Sequence, residues 1–360
     1  MSYPQSSMCR DDVLPWLVQP SEDVRLRVDQ LVDSVLVPGS VVDTNDFLPG
    51  SYLDHLVTSG LVTVVTAPDS VWNVVSRFAI TEQIAFGCLD TWFVITQHWG
   101  ASSIVRRSDG STLGSFWDSS SLLGVGFGHL RRSIPCLKAE VSGDYLVMRG
   151  FAPWVTGSSW LSWVIYGATL PNGNHAYVRL PHVPSDSYRI GRPQALAAVR
   201  RTDTCEVVLD VKVPIENMIC IRPVSDLSSQ DEVTLVTSIS PILGLIGRCL
   251  VDWSREVKAD NQGTFDRLFS AFGKLRSEAY AMISNLSATA VVERLELRQK
   301  AHTLLETIIH IWCLSSGGQS NTSGMMVNRR RNEAAFFRVF QQTKQLKDTA
   351  IISALNRITD

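Results

Sequence analysis

The 360-residue chain is 45% hydrophobic and 19% charged, an ordinary globular composition rather than that of a disordered segment. Its formal net charge of −2 gives no general attraction to nucleic acid or to an anionic membrane, so neither is expected as a partner. No apolar run reaches the ~20 residues of a membrane span, and MSYPQSSMCRDD lacks the basic-then-apolar pattern of a secretory signal, so a cytoplasmic protein is expected.

The first third reads as helix. EDVRLRVDQLVDSVL and VWNVVSRFAITEQIAFGCLDTWFVITQH (71–98) carry apolar residues at three- and four-residue intervals, and Pro20-Ser21-Glu22-Asp23 suits the start of the first. The second is apolar around most of its circumference, which predicts a central helix covered on several sides. His98 and its neighbouring tryptophans read as a core aromatic cluster at the end of that helix. From about 120 to 225 the period shortens. LKAEVSGDYLVMRGFAPWVTG, WLSWVIYGATLPNGNHAYVRLP and TCEVVLDVKVPIENMI are rich in Val, Tyr and Trp and separated by Gly-Asp and Asn-Gly turns, the pattern of antiparallel hairpins. No βαβ alternation appears, which counts against a Rossmann or TIM architecture.

After about 230 helices return in LVTSISPILGLIGRCLVDWSREVK, FDRLFSAFGKLRSEAYAMISNLSATAVVERL, ELRQKAHTLLETIIHIWCLSS and a final RNEAAFFRVF. The basic run NRRRN (328–332) is short enough to be a solvated helix start. The expected fold class is α+β in three parts: a helical domain over 1–119, a β domain over 120–225 and a helical bundle over 226–360. The seven cysteines show no Cys-x-x-Cys pair and the seven histidines no metal-ligand spacing, so reduced thiols and no metal are expected.

Within this order, GDYLVMRGFAPWVTGSSWLSWVIYGAT (143–169), TCEVVLDVKVPIENMI (204–219), LGLIGRCL (243–250), AFGKL (271–275), GGQS (317–320) and Arg-x-Glu-Ala at 331–334 fall in register with one another. Together they resemble the acyl-CoA dehydrogenase family. The resemblance implies an N-terminal helical domain, a middle antiparallel β domain, a C-terminal helical bundle, FAD as cofactor, an acyl thioester as substrate and a homo-oligomer, dimer or tetramer. It places Trp154 and Thr156 against the flavin ring, Gly317, Gly318 and Gln319 against its adenosine half, and Thr343 and Gln345 near its phosphates and ribose. Taken alone, Trp154 reads as a hairpin core tryptophan, and Gly317-Gly318 as a plain helix stop.

The departures carry as much information. The family's catalytic glutamate falls on Gln341, and an amide has no usable pKa for removing the proton α to a thioester carbonyl. The alternative place for that base falls near Thr234, with Asp231 and Glu232 close by and suited to capping a helix start. Leu235 stands where the family has an arginine for the CoA phosphates, which favours an acyl group on a carrier protein. The acidic flavin loop is replaced by GVGFGHLRR (124–132), whose Gly126 and Arg131 are candidates for the flavin and its pyrophosphate. In the same loop, His129 is a candidate acid or base, or else a residue packed at a strand edge. Phe269 takes the place of a cross-subunit arginine, with Arg267 an imperfect stand-in.

The leading expectation is an FAD-dependent oxidoreductase of acyl-CoA dehydrogenase type, dehydrogenating an acyl thioester in specialised metabolism with His129 or Asp231/Glu232 as replacement base. The alternatives are a flavin monooxygenase of the same fold, or a family member that has lost FAD and serves as a binding protein.

Overall fold

The computed structural model describes residues 8–40, 48, 50–64, 72–108, 116–117, 120–322 and 324–359. Helices come first: α1 (Arg10–Val13), α2 (Glu22–Leu31), a π-helical turn over Val32–Leu36, α3 (Val37–Ser40), α4 (Gly50–Thr58), α5 (Val74–Gly87) and α6 (Leu89–Ser108). Eight strands follow: β1 (Leu122–Gly126), β2 (Leu137–Ser142), β3 (Tyr145–Val155), β4 (Leu161–Thr169), β5 (His175–Pro181), β6 (Tyr188–Pro193), β7 (Cys205–Pro214) and β8 (Met218–Arg222). The chain then returns to helix in α7 (Ser225–Thr237), α8 (Ile239–Ser254), α9 (Gln262–Ser284), α10 (Val291–Ser316), α11 (Met326–Val339) and α12 (Lys344–Thr359). The order helical, β, helical is the one expected. The described residues form two compact units, one from 1–43, 68–89 and 231–360, the other from 44–67 and 90–230.

In the helical unit, α5 is buried over most of its surface, as its apolar circumference predicts. It crosses α8 at very close range. A Cβ on Gly244 would lie 2.3 Å from the Glu82 carbonyl oxygen, so only glycine lets the two backbones approach this far. The expected single helix over 71–98 is instead two, because Cys88 is extended and its N–H closes α5 on the Ile84 carbonyl at 2.8 Å. Gly87 ends α5 where a side chain would collide with Leu36, a tertiary cause that periodicity cannot reveal. The apolar run 225–254 is likewise divided, at Ser238, just ahead of Pro241, whose missing N–H suits a first helical turn. By length and composition this run passes for a membrane span, but 83% of its apolar window is buried inside the protein, which makes it a core helix.

Most of the charge buried in this unit has a partner of opposite sign. Glu82 accepts from Arg276 Nε at 2.7 Å and Nη2 at 2.9 Å and from the Tyr280 hydroxyl at 2.6 Å. Asp252 accepts from Arg248 Nε at 3.0 Å and Arg330 Nη2 at 2.9 Å, and Arg330 Nη1 donates to Glu333 at 2.6 Å. Removing water from a charge is tolerable when the partner and hydrogen bonds replace it.

In the other unit the strands form one sheet in the order β6-β7-β3-β2-β4-β5-β8, with β1 added in parallel to β4. The ladders between β2 and β3, β3 and β7, β4 and β5, and β6 and β7 are antiparallel, as expected from the hairpin turns. Gly143-Asp144 joins β2 to β3, and Asn172-Gly173 lies between β4 and β5. One face of the sheet buries Leu137, Leu146, Met148, Val164, Tyr166, Val178 and Leu209. A buried ion pair, Arg201 to Asp90 at 2.9 Å, ties the turn before β7 to α6.

His98 lies within α6 rather than at its end. It is fully buried, with its Nδ1 accepting from the Leu123 N–H at 3.0 Å and its Nε2 donating to the Val62 carbonyl at 2.9 Å. Both roles require the neutral ring, and burial holds its pKa down to about 4. Trp92 and Trp99 are buried on the same helix, so this is the core aromatic cluster the sequence suggests.

Candidate functional site

The end of β3 is where the β unit presents an aromatic to the outside. The β3–β7 ladder shifts register between Ala152 and Val155, leaving Pro153 and Trp154 out of step with the partner strand. Trp154 is 60% exposed, so it is not a hairpin core tryptophan. Two residues on, Thr156 is buried. Its hydroxyl meets that of Thr204 at 3.0 Å, Thr204 meets Thr202 at 2.9 Å, and Thr202 donates to the Val199 carbonyl at 2.7 Å. Because Thr202 spends its proton on Val199, Thr204 donates to Thr202 and Thr156 to Thr204. The ladder therefore has one direction.

The turn after Thr156 is pinned from the same side. Gly157 N–H donates to the Thr202 carbonyl at 2.8 Å, and the Ser159 N–H donates to the Asp203 carboxylate at 2.6 Å. Behind it runs a chain of buried neutral groups: Ser158 Oγ to His182 Nε2 at 2.8 Å, His182 Nδ1 to Tyr188 at 2.6 Å, and Tyr188 to Tyr166 at 2.6 Å. Burial pushes the His182 pKa down to about 4 and raises those of both tyrosines. Trp154 thus projects from a segment fixed by backbone and hydroxyl bonds.

Gly126 closes β1. A Cβ there would lie 2.4 Å from the Tyr166 ring, and 3.4 Å from that of Ala152 on β3, so this glycine is required by the ring that covers it. His129 is buried in the short 3-10 turn Gly128–Arg131, whereas Arg131 and Arg132 are exposed. Neither ring nitrogen of His129 finds a partner at good geometry, and the same holds for His175. Burial, with Arg132 and His175 nearby, drives the His129 pKa down to about 4. Such a ring is neutral near pH 7 and a weak base.

In the helical unit, the two places implied for a catalytic base are joined by one side chain. Arg298 of α10 donates through Nη1 to the Ser238 hydroxyl and through Nη2 to the Phe340 carbonyl at 3.0 Å. Ser238 in turn donates to the Thr234 carbonyl. The guanidinium therefore spans from the Thr234 turn to the residue preceding Gln341. Gln341 itself adopts φ +51°, a left-handed conformation unusual for glutamine, and ends the α11–α12 turn half-buried. Glu232 is exposed, its carbonyl accepting from Arg294 Nη1 at 3.2 Å, and Leu235 is buried.

Thr343 serves α12 as a cap, its hydroxyl accepting from the Leu346 N–H at 3.2 Å, and Gln345 is exposed. Gly317 closes α10 with φ +58°, so it is a helix stop. It, Gly318 and Gln319 are exposed, and no heavy atom lies within 4 Å of where a Cβ on either glycine would be. Phe269 stacks with Phe265 at 6.5 Å, while Arg267 is exposed. Arg298 and Ser238 were not singled out by the sequence reading. The signal was there: Arg298 and His302 sit on the same buried face of α10 as Leu297, Ala301 and Leu305.

No protein-family model matches the sequence, and no curated protein matches it. Solved structures do. Butyryl-CoA dehydrogenase from Megasphaera elsdenii matches with a TM-score of 0.76 at 14% identity, covering 94% of this chain and 99% of its own length. A glutaryl-CoA dehydrogenase from Mycobacterium smegmatis in complex with FADH2 gives 0.75 at 16% identity, covering 94% of this chain and 95% of that one. FkbI, for biosynthesis of the methoxymalonyl extender unit of the polyketide Fk520, gives 0.70 at 15% identity, covering 93% and 99%. At such identities the likeness is one of architecture: the chain has the acyl-CoA dehydrogenase fold.

Proposed function

We propose that the protein is an FAD-dependent oxidoreductase of acyl-CoA dehydrogenase type that oxidises an acyl thioester, with a carrier protein as the favoured handle. The observation that carries the reading is Trp154, a large aromatic left open on a strand end that Thr156, Gly157 and Ser159 hold rigid. An exposed indole on a fixed backbone suits a flat cofactor ring. The open surroundings of Gly317 and Gly318 suit backbone contact with a ligand's polar half. FAD, when bound, supplies the hydride acceptor. The neighbour in complex with FADH2 supports that cofactor, and FkbI supports a place in specialised biosynthesis.

On this reading Trp154 and Thr156 hold the flavin-facing edge, and Arg298 orients the turn on which Gln341 stands. The carrier-protein handle rests on Leu235, which is buried and uncharged where a CoA-binding arginine is implied. Gln341 orients substrate by hydrogen bonding but takes no proton. That same amide favours a second reading, in which the chain keeps the fold without dehydrogenase chemistry.

The test is the visible spectrum of the purified protein after incubation with FAD and desalting. The proposal expects a bound flavin spectrum, lost in Trp154→Ala and bleached by acyl thioesters far faster in Gln341→Glu than in the parent. A flat spectrum in the parent protein overturns the proposal in favour of the second reading.

A further inference from the structure

Arg298 is 1% exposed, and its guanidinium is only partly used. Nη1 and Nη2 bind Ser238 and Phe340, but Nε meets no acceptor. The other buried arginines of this unit meet a carboxylate or, in Arg294, four oxygen acceptors, although both Nη atoms of Arg248 lack a partner. Arg276 holds Glu82, Arg330 holds Asp252 and Glu333, Arg248 holds Asp252, and Arg294 donates to the Leu286, Thr289 and Glu232 carbonyls and to the Thr289 hydroxyl. Among the described residues Arg298 has no carboxylate. Burial lowers its pKa only to about 10, so it stays charged at neutral pH. A buried cation with no carboxylate beside it is costly.

Arg298 also lines a pocket of about 20 Å³ between α10, α11 and α12, whose other polar walls are Gln299, His302, Arg338, Gln342 and Thr349. His302 is kept neutral by burial and by the two arginines, so one of its ring nitrogens carries a hydrogen to donate. Arg338 is matched by Glu306, at 2.5 Å, and by the Gln299 amide oxygen, at 3.2 Å. The pocket and its bonded neighbours therefore carry Arg298's charge in excess. A water molecule needs about 10–15 Å³ of such space, so the pocket has room for a small ion at its inner end.

We propose that this pocket binds a small monovalent anion, a halide or a short carboxylate, as the counter-ion of Arg298. The anion sits among donors from α10 and at the α11–α12 junction, and so fastens the turn that carries Gln341. The site shares Arg298 and the Gln341 turn with the flavin reading, but its test reads thermal unfolding without flavin, so either can fail without the other.

Thermal unfolding of the full chain tests it at constant ionic strength, with gluconate, too bulky for the pocket, exchanged for sodium chloride or sodium formate. The expected result is a saturable rise in midpoint with chloride, formate or both, the pattern telling a halide site from a carboxylate site. Gln342→Glu, at an exposed position on the pocket wall, supplies a tethered carboxylate. It should have a higher midpoint in gluconate and lose the response to added anion. Arg298→Met should lose the response as well. Each anion's bulk effect on solvent is shared by parent and variants, so the difference between them isolates the site. Equal midpoints in all three salts, or an undiminished response in Gln342→Glu, would overturn the proposal.

Discussion

The two compact units bury polar groups by opposite means. Around the sheet the deep polar side chains are mostly neutral: His98 between two backbone groups, the threonine ladder under Trp154, and the chain from Ser158 through His182 and Tyr188 to Tyr166. Among the helices they are mostly charged, as in Glu82 with Arg276 and Asp252 with Arg248 and Arg330. Geometry explains the choice. A sheet leaves short gaps between adjacent strands that hydroxyls and rings can bridge, whereas helices pack farther apart and arginine has the reach to cross between them. The consequence is a difference in acid response. Buried neutral imidazoles are disfavoured as soon as their protonation is demanded, while paired carboxylates resist until lower pH.

The comparison breaks most visibly at Glu82. Glu82→Leu leaves Arg276 buried without its partner and should cost about 3–5 kcal/mol in urea unfolding. A loss below about 1 kcal/mol would mean that the helical unit does not depend on this ion pair.

His98 sharpens the contrast in pH. Its folded pKa of about 4 lies below the ordinary 6.5, so the folded state binds fewer protons. Its contribution is complete above the ordinary value and is lost as pH falls through that window, by up to about 3 kcal/mol. His98→Leu leaves the Leu123 N–H and Val62 carbonyl unpaired and should cost about 2–4 kcal/mol at pH 7. It should also flatten the slope of stability against pH between 6.5 and 4. An unchanged slope would place the acid response elsewhere.

The smallest expected effect is that of Tyr188→Phe, which removes the hydroxyl shared by His182 and Tyr166. About 1–2 kcal/mol is expected, read from the same unfolding curves. A loss as large as that of Glu82→Leu would erase the distinction between neutral and ionic networks.

Local signals were legible and long-range ones were not. The hairpins could be read because Gly143-Asp144 and Asn172-Gly173 specify their own turns within a few residues. The break at Cys88 was not, and the glycine before it is required by Leu36, some fifty residues away in sequence. Helix α12 has no such signal after RNEAAFFRVF, because Ile351, Ile352 and Leu355 remain exposed instead of marking a buried stripe. In the site, the position of Gln341 in a turn was readable from where the apolar pattern of α11 stops. Its left-handed backbone was not, because glutamine, unlike glycine or asparagine, gives no warning of it. Nor does anything in the letters of Trp154 tell exposure from burial; the register shift beside it decides that.

The helical unit is assembled from three separated stretches of chain, and this sets an order of events during synthesis. Glu82 is made 194 residues before Arg276. At about 5–20 residues per second, its carboxylate waits roughly 10–40 s for the guanidinium that will neutralise it, long enough for the strands between them to be made and paired first. A ribosome stalled before α8 would hold a finished sheet and an α5 whose apolar faces still lack α8 and α9. That nascent chain is the form in which this protein most needs a chaperone.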